Sequence, residues 1–256
     1  MYSEERKAMI LDYLQKKSRA SVPELGEYLN VSESTIRRDL KELEEEKLLK
    51  RTHGGAIPIE GVNFEPTFSE KEDQYFAEKE AIAKKAIEFI EEGDTILLDS
   101  GTTIYHLAKK LKRFHKLTIV TNSLIFAQEL QDQPGIEVII IGGSLRKETL
   151  ALVGPFAEEA LSKIKVDKAF IATNGLDMEE GLTTPNLLEA STKRKMIEAS
   201  KQVFLLADHS KCGKIAFAKV ADIQKVDKLI VDDAVPEYFI KELIKLGIDV
   251  YTVEQS

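Results

Sequence analysis

Ser32-Glu33-Ser34-Thr35-Ile36-Arg37-Arg38-Asp39-Leu40 decides how the start of this chain folds and what it can touch. Ser32 stands where a side-chain oxygen can accept a backbone N–H that has no partner within its own helix. Ile36, Leu40 and Leu43 recur at helical spacing and define a core-facing stripe. Ser34, Arg37, Arg38 and Lys41 fall on the opposite side. Small hydroxyls at a helix N-terminus can approach phosphates and base edges, and an arginine can fork onto a guanine edge. An ordinary amphipathic helix with a solvated basic face shows the same pattern, so the flanking sequence has to separate the two readings.

Upstream, Ser21-Val22-Pro23-Glu24 has the form of a capping box and opens a short helix carrying Leu25 and Leu29. The turn Asn30-Val31 then leads into Ser32, and two helices joined by so short a turn are a helix-turn-helix pattern. An earlier helix, from about Ser3 to Lys16, offers Ile10, Leu11 and Leu14 as a third wall. Downstream, Leu48-Leu49-Lys50-Arg51-Thr52 is strand-like, His53-Gly54-Gly55 is a turn signal, and Ala56-Ile57-Pro58-Ile59 can return as a second strand. The order is three helices and a hairpin wing, with Arg51 and His53 near a phosphate backbone.

With these pieces in place, residues 3–58 resemble the winged-helix domain of the DeoR/GlpR family of bacterial sugar-responsive transcription regulators. The resemblance is carried by Val31-Ser32, Thr35-Ile36-Arg37-Arg38-Asp39-Leu40, Leu43-Glu44 and Arg51-Thr52-His53-Gly54-Gly55-Ala56. It implies double-stranded operator DNA as a partner. The candidate contacts are Ser32, Ser34, Thr35, Arg37, Arg38 and Lys41 on the helix, and Arg51, His53, Gly54 and Gly55 on the wing. The family often has glycine where this chain has Lys47. A lysine in the left-handed helix-ending conformation costs on the order of 1 kcal/mol, so a different helix ending is expected.

The 256 residues leave room for a small domain and a larger one with a sizeable core. The formal charge is −8, and residues 1–60 hold 11 Lys/Arg against 12 Asp/Glu, so most of the acidity lies in the remainder. Attraction to phosphate therefore has to come from placement, with Arg37, Arg38, Lys41, Lys50 and Arg51 on one side. Glu44, Glu45 and Glu46 would repel phosphates, which sends the N-terminal half of the helix into the groove and predicts salt-sensitive binding. The single cysteine, Cys212, excludes an intramolecular disulfide and suits a reducing cytoplasm. No apolar run approaches the roughly 20 residues that span a bilayer, and Met1-Tyr2-Ser3-Glu4-Glu5-Arg6 does not have the form of a signal peptide. His53, His106, His115 and His209 lack metal-ligand spacing. Neither a metal nor a cofactor is expected.

Pro58, Gly61 and Pro66 break regular structure in a linker at 58–69. This divides the chain into a DNA-binding domain at 1–57 and an α/β domain at 70–256. A single helical run is expected from about Glu70 to Glu91, with Phe76, Ile82, Ala86 and Phe89 as apolar positions and Gly93 ending it. Beyond it, short apolar runs alternate with helical patterns. The runs are Thr95–Leu98, Leu117–Val120, Val138–Ile141, Ala169–Ala172, Val203–Leu206, Lys228–Val231 and Asp249–Val253. Strands alternating with helices predict a mostly parallel sheet covered on both faces.

Each of the first five runs ends in a polar cluster: Asp99-Ser100-Gly101-Thr102-Thr103, Thr121-Asn122-Ser123, Gly142-Gly143-Ser144, Thr173-Asn174-Gly175-Leu176-Asp177 and Asp208-His209-Ser210-Lys211. Ligands of open α/β sheets bind beyond the carboxyl ends of the strands, where these five clusters would meet. Gly101-Thr102-Thr103 leads into a helix whose free N–H groups and hydroxyls suit a phosphate. Lys211 could supply positive charge, and Asp99 and Asn122 could bond sugar hydroxyls. Helix caps and turns use the same residue types, so any one cluster is ambiguous and only the five together point to a ligand.

These clusters also resemble the sensor domain of the same family, which is similar in fold to ribose-5-phosphate isomerase and related sugar-phosphate enzymes. The resemblance implies a phosphorylated sugar or polyol as effector. It points to Asp99, Gly101, Thr102, Thr103, Asn122, Gly175, Glu189, Lys193 and Lys211, together with Ser123 of the second cluster. Glu189 and Lys193 lie four apart on a helix, where a surface ion pair is the ordinary reading. A homodimer or homotetramer is expected, because two DNA half-sites fit a symmetric protein. The rival reading is a sugar-phosphate isomerase fused to a DNA-binding domain. Against it, Asn174-Gly175-Leu176-Asp177 stands where the isomerases carry an acidic Asp-Gly-Ala-Asp-Glu run, and asparagine cannot act as a general base. A third reading is a constitutive DNA-binding scaffold whose second domain only oligomerises. The expectation is a sugar-phosphate-responsive regulator, a repressor of a sugar catabolic operon, with no catalytic residue.

Overall fold

The structure is a computed structural model that describes residues 3–17, 20–46, 48–52, 54–58 and 65–254. Lys47, His53, Ile59 and the linker from 59 to 64, and the side chain of Lys50, lie outside the described residues. The chain forms two compact units, residues 1–61 and 62–256.

The first unit runs α1 (Ser3–Lys17), β1 (Ala20–Ser21), α2 (Val22–Leu29), α3 (Glu33–Glu45), β2 (Leu49–Thr52) and β3 (Gly55–Pro58). Ser21 and Glu24 form the capping box of α2: the Glu24 N–H donates to the Ser21 hydroxyl, and the Ser21 N–H donates to the Glu24 carboxylate. Asn30 takes a left-handed backbone (φ 51°) between α2 and α3, a conformation that asparagine tolerates better than most residues. Ile10, Leu14, Leu25, Leu29, Ile36, Leu40, Leu43 and Leu49 make one buried core. The strands pair antiparallel in the order β1-β3-β2. A Cβ at Gly55 would stand 2.0 Å from the Ala20 carbonyl oxygen, so only glycine permits this close pairing.

The second unit opens with α4 (Phe68–Glu72) and α5 (Phe76–Ala86). The single helix expected from Glu70 to Glu91 is therefore divided. Thr67 and Glu70 form a capping box that starts α4, and Tyr75 adopts a left-handed backbone (φ 53°) between the two helices. The Lys71 carbonyl, which a continuous helix would bond to residue 75, instead receives the Gln74 N–H and the Lys79 ammonium. A 3₁₀ turn at Ile87–Phe89 closes the run, and Phe76 is exposed with its ring edge-on to His106.

The order then is β4 (Thr95–Leu98), α6 (Thr102–Lys110), β5 (Leu117–Thr121), α7 (Leu124–Leu130), β6 (Ile136–Ile140), β7 (Ser144–Arg146), β8 (Ala151–Val153) and α8 (Pro155–Ser162). It continues with β9 (Val166–Ile171), β10 (Gly175–Asp177), β11 (Gly181–Thr184), α9 (Leu187–Glu198), β12 (Ser200–Leu206), β13 (Ala218–Ala221), β14 (Lys228–Asp232), α10 (Glu237–Lys245) and β15 (Asp249–Val253). Seven strands form one sheet in the order β15-β14-β12-β9-β4-β5-β6, and every neighbouring pair is parallel. Successive side chains of a strand point to opposite faces. Ile96, Leu98, Phe170, Phe204 and Leu206 accordingly enter one core, while Leu97, Ala169, Ile171, Val203 and Leu205 enter the other. The seven apolar runs read from the sequence are these seven strands. Three of the five clusters do not lead into an α-helix: Asp208-His209-Ser210-Lys211 makes a single 3₁₀ turn, Gly142-Gly143 enters the β7–β8 hairpin, and Thr173-Asn174 enters a small antiparallel sheet ordered β10-β11-β13. The strands of the hairpin and the small sheet are only three or four residues long, too short to read as alternation.

Candidate functional site

In the first unit, α3 presents a basic face. The Ser32 hydroxyl accepts the Thr35 N–H at 3.4 Å and lies 2.9 Å from the hydroxyls of both Ser34 and Thr35. Ser32, Ser34, Arg37, Arg38 and Lys41 are exposed and Thr35 is half-buried. Arg37 meets Glu33 at 2.8 Å, and Lys41 lies 3.8 Å from Glu45. Exposed pairs of this kind contribute only about 0.3–0.5 kcal/mol, so a phosphate can displace them. Arg38 has no ion-pair partner among the described residues. Asp39, between these residues in sequence, is fully buried and takes Arg6 in a two-point clasp, Nε at 2.5 Å and Nη2 at 2.9 Å. That clasp ties α3 to α1 and fixes which way the basic face looks.

The wing differs from the expectation in two ways. Glu44 binds both the backbone N–H and the Nε of Arg51, each at 2.8 Å. Its charge is thereby met by Arg51 rather than left to repel phosphate, and Arg51 fastens the wing to α3. Gly54 is exposed in the wing turn, whereas Gly55 is buried against Ala20. Gly55 therefore serves the strand pairing and is not on the exposed surface. His53 lies outside the described residues.

In the second unit, a cavity of about 50 Å³ opens at the carboxyl edge of the sheet, where β4, β9 and β12 end. Gly101 and Thr102 start α6 there, and no side chain caps its first N–H groups. A Cβ at Gly101 would meet that of Ala172 at 2.8 Å, so glycine is needed for the β4 and β9 loops to close together. Thr102, Thr103 and Ser100 are buried in the wall, and the Ser100 hydroxyl has no hydrogen-bond partner among the described residues.

Four lysines converge on this cavity: Lys71 from α4, Lys79 from α5, Lys193 from α9 and Lys211 after β12. The Lys193 ammonium bonds the fully buried Asp99 and the Ala172 carbonyl, and lies 3.5 Å from Glu189. Burial alone would push Lys193 down, but the Asp99 and Glu189 carboxylates outweigh it and hold the ammonium above the ordinary lysine range. Burial lowers Lys71, and it brings Lys79 down to about 8. Like charge from Lys211 adds to both shifts. Lys211 is held loosely, 3.9 Å from Asp208, whose outer oxygen is buried without a hydrogen bond among the described residues.

Of the sequence candidates, Gly101, Thr102, Thr103, Glu189, Lys193 and Lys211 line the cavity. Asp99 lies beneath it, locked by Lys193 and the Ala172 N–H. Glu189 and Lys193 do not form a surface pair. Both are buried, with Glu189 also meeting Arg146 at 2.5 Å. Asn122 is not in the wall: its amide spans the chain, accepting the Ser100 N–H and donating to the Leu152 carbonyl. Ser123 is buried at the start of α7, and Gly175 packs 2.4 Å (as a notional Cβ) from the Lys214 carbonyl. Neither lines the cavity. Lys71, Lys79 and Arg146 were not anticipated. Lys79 could have been, since it falls three residues before Ile82 and seven before Ala86 on the apolar stripe of its helix, where a charge is out of place. Among the described residues no group of His, Cys, Asp and Glu could hold a metal ion.

Comparison with known proteins agrees with both units. Residues 6–61 match the family model described as the DeoR-like helix-turn-helix domain, and residues 74–233 match the DeoR C terminal sensor domain. The chain belongs to the DeoR family. It is similar to the HTH-type transcriptional regulator GlpR of Haloferax volcanii, with 40% identity over 98% of both chains. It is also similar to the HTH-type transcriptional repressor GlcR of Bacillus subtilis, with 38% identity over 100% of this chain and 98% of the relative. Among solved structures, the ribose 5-phosphate isomerase A of Methanocaldococcus jannaschii aligns at 15% identity over 52% of this chain and 53% of its own, with a TM-score of 0.38. Membership of the DeoR family makes this a DNA-binding transcription regulator. No helix among the described residues is long and apolar enough to cross a membrane.

Proposed function

We propose that this protein represses a carbohydrate catabolic operon and that a phosphorylated sugar or polyol, held in the second unit, controls its grip on operator DNA. Residues 1–57 bind the operator, 58–69 link, and 70–256 bind the effector in the cytoplasm. The observation that carries the ligand half is the meeting of four lysines, an uncapped helix N-terminus and an unpartnered buried hydroxyl around one small cavity. Uncapped N–H groups and a helix dipole favour an anion, and the mutual repulsion of the lysines is relieved when one binds. At about 50 Å³ the cavity takes a phosphoryl group. The effector contacts are the α6 start, Lys71, Lys79, Lys193 and Lys211, and the DNA contacts are Ser32, Ser34, Thr35, Arg37, Arg38 and Lys41.

Two relatives support the repressor sense by name, GlcR and a putative aga operon transcriptional repressor of Escherichia coli O157:H7, 32% identical over 97% of this chain. A homodimer or homotetramer matches paired half-sites. The second unit binds its sugar phosphate without transforming it. Asp177 spends a carboxylate oxygen on the N–H groups of Glu179 and Glu180, at 2.9 and 3.0 Å, and does not line the cavity. Asn174, which does, has no basic oxygen to give.

The test is thermal unfolding of the full chain with a panel of sugar phosphates and their unphosphorylated counterparts. A ligand at 100 times its dissociation constant adds about 2.7 kcal/mol of stability. A phosphate-dependent shift is expected. A panel without any shift would overturn the effector reading and leave a constitutive DNA-binding scaffold. Isomerisation of a panel member would restore the enzyme reading.

A further inference from the structure

Arg146 at the end of β7 bonds two carboxylates closely and lies 3.5 Å from a third, Glu148. Its guanidinium forks onto Glu65, Nη1 to Oε1 at 3.1 Å and Nη2 to Oε2 at 2.5 Å, and Nη1 also reaches Glu189 at 2.5 Å. Arg146, Glu65 and Glu189 are largely buried, at 13%, 8% and 3% exposure. Glu189 is a wall of the cavity and shares Lys193 with Asp99. Glu65 lies within the 58–69 linker and is its first described residue beyond Pro58. The chain that follows it, through α4, supplies Lys71 to the cavity and is pinned again where the Phe68 N–H donates to the Glu148 carbonyl at 2.7 Å.

Resting on the anion-binding reading of this cavity, we infer that Arg146 is a latch: anion binding draws it onto Glu189 and frees Glu65, loosening the segment that joins the linker to the sensor unit. The charges require a redistribution of this kind. The Glu189 carboxylate is paired directly with two cations, Arg146 and Lys193, and Lys71 adds to the positive field on it. An anion beside Lys193 takes up part of that ammonium's field and repels Glu189, and at low dielectric such terms are large. Arg146 is the cation bonded to Glu189 that does not line the cavity, and a guanidinium satisfies a carboxylate best with both arms of its fork. Both arms cannot serve Glu189 while they also serve Glu65. The released residue leads directly into the chain from the DNA-binding unit, so site occupancy reaches the linker through one shared guanidinium. The coupling is a difference in ion pairing between two states, as any ligand-driven shift must be.

The test is hydrogen–deuterium exchange of the full chain with inorganic phosphate as the probe, against sodium chloride at matched ionic strength. The wild type is expected to gain protection at residues 99–105 and to exchange several-fold faster at 65–72 when phosphate is added. Glu65→Gln should exchange fast at 65–72 from the outset, respond no further there, and keep its phosphate protection at 99–105. Arg146→Lys, which keeps the charge but loses the fork, should fall between the two. Protection at 99–105 with 65–72 unchanged or slowed would overturn the latch and leave the anion site standing. A Glu65→Gln protein that behaves as wild type would do the same. No protection at 99–105 at saturating phosphate would overturn both the site and the latch.

Discussion

On α3 of the first unit, Arg37 and Glu33 meet at 2.8 Å with 63% and 49% of their side chains exposed, whereas in the second unit Lys193 and Asp99 meet at 3% and 0% exposure. The same kind of bond does two different jobs. At the surface the pair is screened and exchangeable, so an arginine can leave its glutamate for a DNA phosphate at little cost. In the interior each charge depends on its partner, and the network stands assembled before any ligand arrives. On the proposed reading, the surface that grips and releases DNA is built in the first manner, and the site for one small anion in the second.

The sharpest way to break this comparison is to remove an interior charge. Lys193→Met leaves Asp99 and Glu189 without their shared cation and should destabilise the second unit by about 3–5 kcal/mol in urea unfolding. A loss below about 1 kcal/mol would show that the interior pairs are no more dependent than those on α3. Next in size is Arg38→Ala, expected to weaken operator binding by about 1–3 kcal/mol, read by titration with labelled DNA, while the melting temperature stays put. Unchanged affinity would mean that another face of α3 enters the groove. Lys211→Ala should keep operator affinity but lose the effector response, a coupling that typically amounts to about 1–3 kcal/mol. A normal response would remove Lys211 from the site.

The effect of pH sharpens the comparison further. Burial holds Lys79 at about 8 in the folded protein, against about 10.4 for a free lysine. Between these values the unfolded chain carries more protons than the folded one, so this group's contribution to stability rises with pH across that window. Over the same window the cavity loses a positive charge, and calorimetric phosphate affinity should fall several-fold as pH passes 8. Lys79→Arg, which stays charged, should show no such fall. The smallest effect belongs to Arg37→Ala, whose loss of the Glu33 pair should change stability by less than about 0.5 kcal/mol.

The difference between the two units also explains what could be read from the chain. Local signals were legible: the Ser21–Glu24 box, the Ser32 cap, the Ile36-Leu40-Leu43 stripe and the seven apolar runs each depend on residues a few positions apart. The Gly101-Thr102-Thr103 start of α6 was legible for the same reason. What escaped was set by distant neighbours. Asn122 carries a polar side chain suited to a ligand, yet it serves Leu152, 30 residues away. Glu189 and Lys193 sit at the spacing of a surface pair, and only the fold buries them and brings Lys193 onto Asp99, 94 residues earlier. At the helix break beside Tyr75 an ammonium reaches back from Lys79 to the Lys71 carbonyl, a contact that propensity does not register.

The strand order has a consequence for the birth of the molecule. In the sheet, β4 lies beside β9, whose partner positions are 72 residues further along, and β9 in turn lies beside β12. Every contact of the first unit's core falls between Ile10 and Ala56. Ribosomes add about 5–20 residues per second and domains fold as they emerge, and sheets with distant partners close late. For roughly ten seconds or more of synthesis, the nascent chain therefore carries a finished DNA-reading module with no finished sensor behind it. On the proposed function, newly made molecules meet DNA-binding competence before they acquire the means to be switched.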